Sequence, residues 1–124
     1  MSEVNLEGFG YLSSATVSAS SKTLALSDAG VVQDVTVTST ITLPATSAKA
    51  NFIVRVGADG ITLNISPDAS DKIAGYGATN SGAGTDNKDL IFTSQPVGSY
   101  VQLQGDGTDG YTVTRLHGTA TFES

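Results

Sequence analysis

Cysteine and tryptophan are absent from the 124 residues, and histidine occurs once. Without thiols there is no disulfide staple, no thiolate zinc site and no cysteine nucleophile, so stability must come from packing or from partners. Charge is scarce as well. Only 15% of residues are charged, and 12 acids against 6 bases leave a net charge of −6 and a pI near 4.3. Such a field repels phosphate and anionic lipid, so neither nucleic acid nor a membrane is expected as a partner. No apolar run nears the roughly 18 residues of a membrane span. The first 20 residues show neither a basic start nor an apolar h-region, and a soluble chain without a cleaved export signal is expected.

What the chain does have is glycine, 14 residues of it, together with abundant Ser and Thr. At this length one domain is expected, hiding roughly 66% of its unfolded surface. The dominant pattern has period two. Phe52, Val54 and Val56 alternate with Asn51 and Arg55, with Ile53 as an apolar intruder on the polar side. Ile61, Leu63 and Ile65 alternate with Thr62, Asn64 and Ser66, and Ala58, Asp59 and Gly60 separate the two runs. This spacing predicts a hairpin. Val101 and Leu103, then Tyr111 and Val113, flank the segment 105–110 and predict a second one. Further strands are expected over 11–18, 22–26, 31–38, 40–43, 89–93 and 119–122, with Pro44 closing the fourth of these. Dense β-branched residues and the lack of helical periodicity leave room for very little helix. The fold class expected is all-β: a single-domain β-sandwich, jelly-roll-like fold or flattened barrel.

Two segments interrupt the rhythm. Residues 75–88 hold one large apolar side chain, Tyr76, and are expected to form a long exposed loop. Residues 1–20 are expected to be an N-terminal arm or a first strand, ahead of a β-domain over 21–124. Val4, Leu6, Phe9 and Tyr11 alternate imperfectly with Glu3, Glu7, Gly8 and Gly10. That pattern is glycine-rich for a self-sufficient sheet strand and apolar for an idle tail, which makes these four residues candidates for contact with a partner.

No constellation for catalysis emerges. The lone His117 is read as a polar strand-end residue, because no nucleophile motif accompanies it; the competing reading pairs it with Asp106 or Asp109. Asp28, Asp59, Asp68, Asp71, Asp106 and Asp109 sit in turn contexts, where Asp serves the backbone. Segment 106–110 lacks the alternate-position acids and terminal Glu of a calcium loop, and neither Gly75-Tyr76-Gly77 nor Gly82-Ala83-Gly84 continues as a phosphate or dinucleotide loop. No cofactor, metal or catalytic residue is expected, and the chain is read as a non-enzyme.

The order of certain segments is familiar. Thr40 to Pro44 (TITLP), Phe52 to Val56 (FIVRV), Asp59 to Pro67 (DGITLNISP), Asp71 to Gly75 (DKIAG), Val97 to Leu103 (VGSYVQL), Asp106-Gly107, Tyr111 to Val113 and Gly118 follow one another across residues 31–124. This order resembles the small β-domains of tailed-bacteriophage capsid decoration (cement) proteins and of phage fibre tips, with Tyr111 where that pattern has Trp. The resemblance implies a homotrimer on the virion capsid surface, made in the host cytoplasm, with the major capsid protein as partner. A receptor- or carbohydrate-binding tip of a tail or head fibre is the alternative, with Tyr76 and Tyr100 as its candidate aromatics. Ile53 and Ile91, apolar on otherwise polar faces, join Val4, Leu6, Phe9 and Tyr11 as candidate contact residues.

Overall fold

The computed structural model describes residues 2–6, 10–75 and 87–123, with residues 2–6, 10 and 11 described by their backbone alone. Twelve strands lie in these segments: β1 (Ser2–Leu6), β2 (Gly10–Val17), β3 (Ser21–Thr23), β4 (Val32–Val35), β5 (Ser39–Thr42), β6 (Asn51–Val56), β7 (Thr62–Ser66), β8 (Lys72–Gly75), β9 (Leu90–Thr93), β10 (Tyr100–Gly105), β11 (Gly110–His117) and β12 (Thr121–Phe122). A 3-10 turn at Leu26–Asp28 is the one helical element among the described residues. The fold is all-β, with two packed sheets. The first has the order β1-β2-β4-β6-β10-β11-β8 and the second β12-β9-β7-β5-β3.

From β2 to β7 the chain winds. Successive strands alternate between the sheets, so β2, β4 and β6 are parallel neighbours in one and β3, β5 and β7 are parallel neighbours in the other. Equivalent positions therefore stack from turn to turn. Val17 registers with Val35 and Val35 with Val56, and all three are buried. Across the interior, Ile41 registers with Ile65, while Leu24 and Leu43 continue their ladders with N–H bonds to the carbonyls of Thr42 and Ser66. The period-two alternation sends one side chain of each pair inward, and stacking turns each inward side chain into a column.

This winding corrects the first expected hairpin. The runs at 51–56 and 61–66 are β6 and β7, but they lie in different sheets and do not pair. The apolar rows of both strands then face each other across the core, where Phe52, Val54, Leu63 and Ile65 are fully buried. A hairpin would have set the two rows side by side on one sheet face. Residues 57–61 span the roughly 10 Å between packed sheets. The second expected hairpin is present: β10 and β11 pair antiparallel, with a register shift between Gln102 and Leu103. β8 was not among the expected strands. It lies parallel to β11 at the edge of the first sheet, and Gly110 permits the approach: a Cβ there would fall 2.1 Å from the Lys72 carbonyl oxygen.

The N-terminal segment pairs within the chain. Ser2–Leu6 runs antiparallel to β2, with Val4 opposite Leu12 and Leu6 opposite Gly10. The segment 75–88 begins in β8 and ends in a turn at Asn87 and Lys88; residues 76–86 lie outside the described residues.

Candidate interaction surfaces

With Phe52, Val54 and Val56 turned inward, Ile53 and Arg55 lie on the outer face of the first sheet. Ile53 is nevertheless only 3% exposed, in a small cluster with Val32 and Tyr100 against which Leu12 packs. Register explains the grouping: Val32 neighbours Ile53 on β4, and Ser14 neighbours Val32 on β2. Val4 registers with Leu12 along β1 and β2. Ile91 lies on β9, between Asn64 and Thr121, on the outer face of the other sheet. Tyr11 stands opposite Asn5, and Phe9 lies outside the described residues. Ile53 and Ile91 thus lie on the outer faces of different sheets, and Ile53 is covered within the single chain.

The chemistry at the same face is structural. His117 registers with Tyr100, and their rings stack at a centroid distance of 5.5 Å. Asp106 and Asp109 follow the far end of β10, roughly 20 Å from His117 at about 3.3 Å per strand residue. A His–Asp pair between them is therefore excluded by geometry. Beside this stack, Asp34 and Arg55 form an ion pair of 2.5 Å.

Asp106 organises the β10–β11 turn. Its Oδ1 accepts hydrogen bonds from the backbone N–H groups of Thr108, Asp109 and Gly110 at 2.8, 2.8 and 3.1 Å. These bonds favour the charged form and hold the carboxyl down at a pKa of about 2. Oxygen lone pairs committed to the backbone serve the turn rather than a cation, and no group of three or more His, Cys, Asp or Glu side chains suited to a metal occurs among the described residues. The adjacent cleft, about 270 Å³, is lined by Gln104, Gly105, Asp106, Thr112 and Thr114. It is smaller than a typical ligand pocket.

A polar knot fastens the same end. The Thr46 hydroxyl donates to the Gly110 carbonyl at 2.6 Å and accepts from the Gly107 N–H, while the Thr46 N–H donates to the buried Asp71 carboxylate. The Tyr111 hydroxyl donates to the Pro44 carbonyl at 2.7 Å. Burial first, then the nearby carboxylates of Asp71 and Asp68, push that hydroxyl up to about 12. Burial also raises the Asp89 carboxyl; its hydrogen bond with Ser66 opposes the shift and neighbouring Glu123 adds to it. Each of these groups ties one turn to another, and none aims at an open site.

Three exposed apolar residues escaped the sequence reasoning: Leu26 opens the 3-10 turn at 53% exposure, and Val37 and Val97 lie in turns at 36% and 46%. The signal for Val97 was visible in Pro96-Val97-Gly98, where a large apolar residue occupies a Pro/Gly turn. The sequence matches no protein-family model and no curated protein.

Proposed function

We propose that this chain is a non-enzymatic virion structural protein: a capsid decoration (cement) protein that binds the outer surface of a tailed-phage head as homotrimers and stabilises it. The carrying observation is the ordered set of segments from Thr40 to Gly118, which resembles such proteins and which the fold spends on architecture. The TITLP segment ends β5, FIVRV is β6, GITLNIS leads into β7, and SYVQL and YTV open β10 and β11. The polar side chains that enzymes would use are engaged in stacking and turn capping, as at His117 and Asp106. A two-sheet body of stacked parallel turns is also a stiff clamp, because each layer is hydrogen-bonded to the next. For a carbohydrate-binding tip an open aromatic face is needed; of its two candidate aromatics Tyr100 is 3% exposed, and Tyr76 lies outside the described residues.

The test is reconstitution. DNA-filled heads of the phage that encodes the chain, stripped of it, are mixed with purified protein and sedimented. Saturable binding to heads and not to isolated tails is expected, together with a trimer in light scattering. Binding to tails alone would move the protein to a fibre, and a monomer that decorates heads as isolated copies would remove the trimer.

A further inference from the structure

The parallel winding has four outermost strands, β2 and β6 in one sheet and β3 and β7 in the other, and three of them are closed by an antiparallel neighbour: β2 by β1, β6 by β10 and β7 by β9. The fourth is β3. It ends the second sheet, and among the described residues no strand pairs with its far side. On its near side the Thr40 N–H donates to the Ser20 carbonyl and the Leu24 N–H to the Thr42 carbonyl, at 3.0 and 2.8 Å. Residues 20, 22 and 24 thus turn their backbone groups toward β5, and the alternation of the strand leaves those of Ser21 and Thr23 on the open side. An edge of this kind is a template for a further strand.

The same strand carries a charge where the core is otherwise apolar. One register row crosses the second sheet as Lys22, Ile41, Ile65 and Leu90, and the last three are buried. Lys22 therefore points inward, while Ser21 and Thr23 are exposed. The facing row of the first sheet runs Ala15, Gln33, Val54 and Val101, and Gln33 is fully buried. The two polar members meet across the interior: the Lys22 ammonium donates to Gln33 Oε1 at 2.7 Å, and the Gln33 amide donates in turn to the Val31 carbonyl at 3.4 Å. Apolar residues in these places would continue both rows. Instead the first coil sets a cation at the end of the core, answered by an amide that does not neutralise it.

We propose that Lys22 guards the open edge of β3 and keeps a strand of a second copy from adding to the winding. A strand laid on β3 in register would carry its own inward side chain over the ammonium, shutting water away from a charge whose partner is an amide rather than a carboxylate. That cost falls on association alone. In the single chain Lys22 is only partly buried, which leaves part of its side chain in water. The length of β3, three residues, acts in the same direction, because a short edge offers a newcomer few hydrogen bonds. A body of stacked coils needs such a terminus, since an apolar end row would be continued by the next copy.

The experiment measures mass by light scattering over a hundredfold range of concentration for wild type and two variants, each checked for fold by circular dichroism and thermal unfolding. Lys22→Ile with Gln33→Met makes both rows apolar and leaves no buried amide unpaired; Ser21→Ile adds the same apolar side chain to the outward face of the same strand. Wild type and Ser21→Ile are expected to keep one mass throughout, while the double variant at least doubles its mass and slows hydrogen exchange at the amides of residues 21 and 23 tenfold or more. A folded double variant that stays at the wild-type mass overturns the proposal. So does association of Ser21→Ile to the same extent, which would make the effect general stickiness, and so does protection of amides 21 and 23 in wild type, which would show the edge already occupied. Should the double variant not fold, Lys22→Gln removes the charge and keeps a donor for Gln33; the same growth in mass is expected of it, and its absence overturns the proposal.

Discussion

Asp34 and Arg55 stand 21 residues apart in the chain and side by side in the sheet, their carboxylate and guanidinium joined at 2.5 Å across parallel β4 and β6. That separation is one winding of the chain through both sheets. The pair therefore reports whether successive turns are in register. Its side chains are each 20% exposed, so water and salt reach it, and a pair of this kind contributes on the order of 0.2–1 kcal/mol. A double-mutant cycle with Asp34→Ala and Arg55→Ala, measured by urea unfolding, is expected to return a coupling in that range that shrinks in 1 M salt.

The core makes a stronger demand. Phe52 is fully buried and meets Tyr111 edge-on at a centroid distance of 5.9 Å, joining β6 to β11. Phe52→Ala is expected to cost about 3–5 kcal/mol, through lost burial and the cavity left behind. That is a large part of the roughly 5–15 kcal/mol that holds a domain of this kind together. Denaturant midpoints check it, with an unchanged m-value showing that both states keep their compactness.

Much of the fold could be read from the sequence because alternation is a local signal. Phe52-Ile53-Val54-Arg55-Val56 reads as a strand with one apolar face wherever its partner lies, and so do the runs in β7, β10 and β11. Pairing is not local. Five residues connect β6 to β7, and that length serves either a wide hairpin turn or a crossing to a second sheet; which one forms is decided by where β4, β5, β9 and β10 offer their edges. β8 was missed for a related reason, since its four residues gain their place from parallel contact with β11 and a glycine across from Lys72. Of the candidate contact residues, Ile53 was correctly set on the outer face, but the cluster with Val32 and Tyr100 that buries it depends on register across three strands. Val37 continues the alternation of Val35-Thr36-Val37-Thr38 and was expected inside a strand over 31–38, but β4 ends at Val35 and leaves it in a turn; Val97 carries no periodicity at all.

Two glycines separate conformational cost from steric cost. Gly60 has φ +75° with open space where a Cβ would go; Gly110 has φ +148° and would place its Cβ 2.1 Å from the Lys72 carbonyl oxygen. Gly60→Ala is expected to cost about 1–2 kcal/mol, the penalty of a left-handed alanine. Gly110→Ala adds a clash with the backbone of β8 and is expected to lose more than Gly60→Ala, with hydrogen-exchange protection lost first along residues 72–75. Equal losses from the two substitutions would show that β8 is not held against β11 as described.

Acid should weaken the β10–β11 turn. Three backbone N–H groups donate to the Asp106 carboxylate and hold its pKa near 2, below the ordinary 3.8. A carboxyl whose folded pKa lies below its unfolded value stabilises the fold above the unfolded pKa, and that stabilisation is lost as pH falls through the folded one. The window for Asp106 is therefore below about pH 4, with the contribution gone near pH 2. Asp89 acts in the opposite direction: burial raises its carboxyl, so its charged form disfavours the fold and protonation on acidification relieves that strain. Asp106→Asn keeps an oxygen that can accept the same N–H bonds but cannot titrate, and its stability is expected to fall less than wild type's between pH 4 and pH 2, while Asp89→Asn leaves that loss in place. Urea midpoints at half-unit pH steps decide the matter. Parallel curves for wild type and Asp106→Asn would mean that the three N–H bonds do not discriminate between the charged and neutral carboxyl.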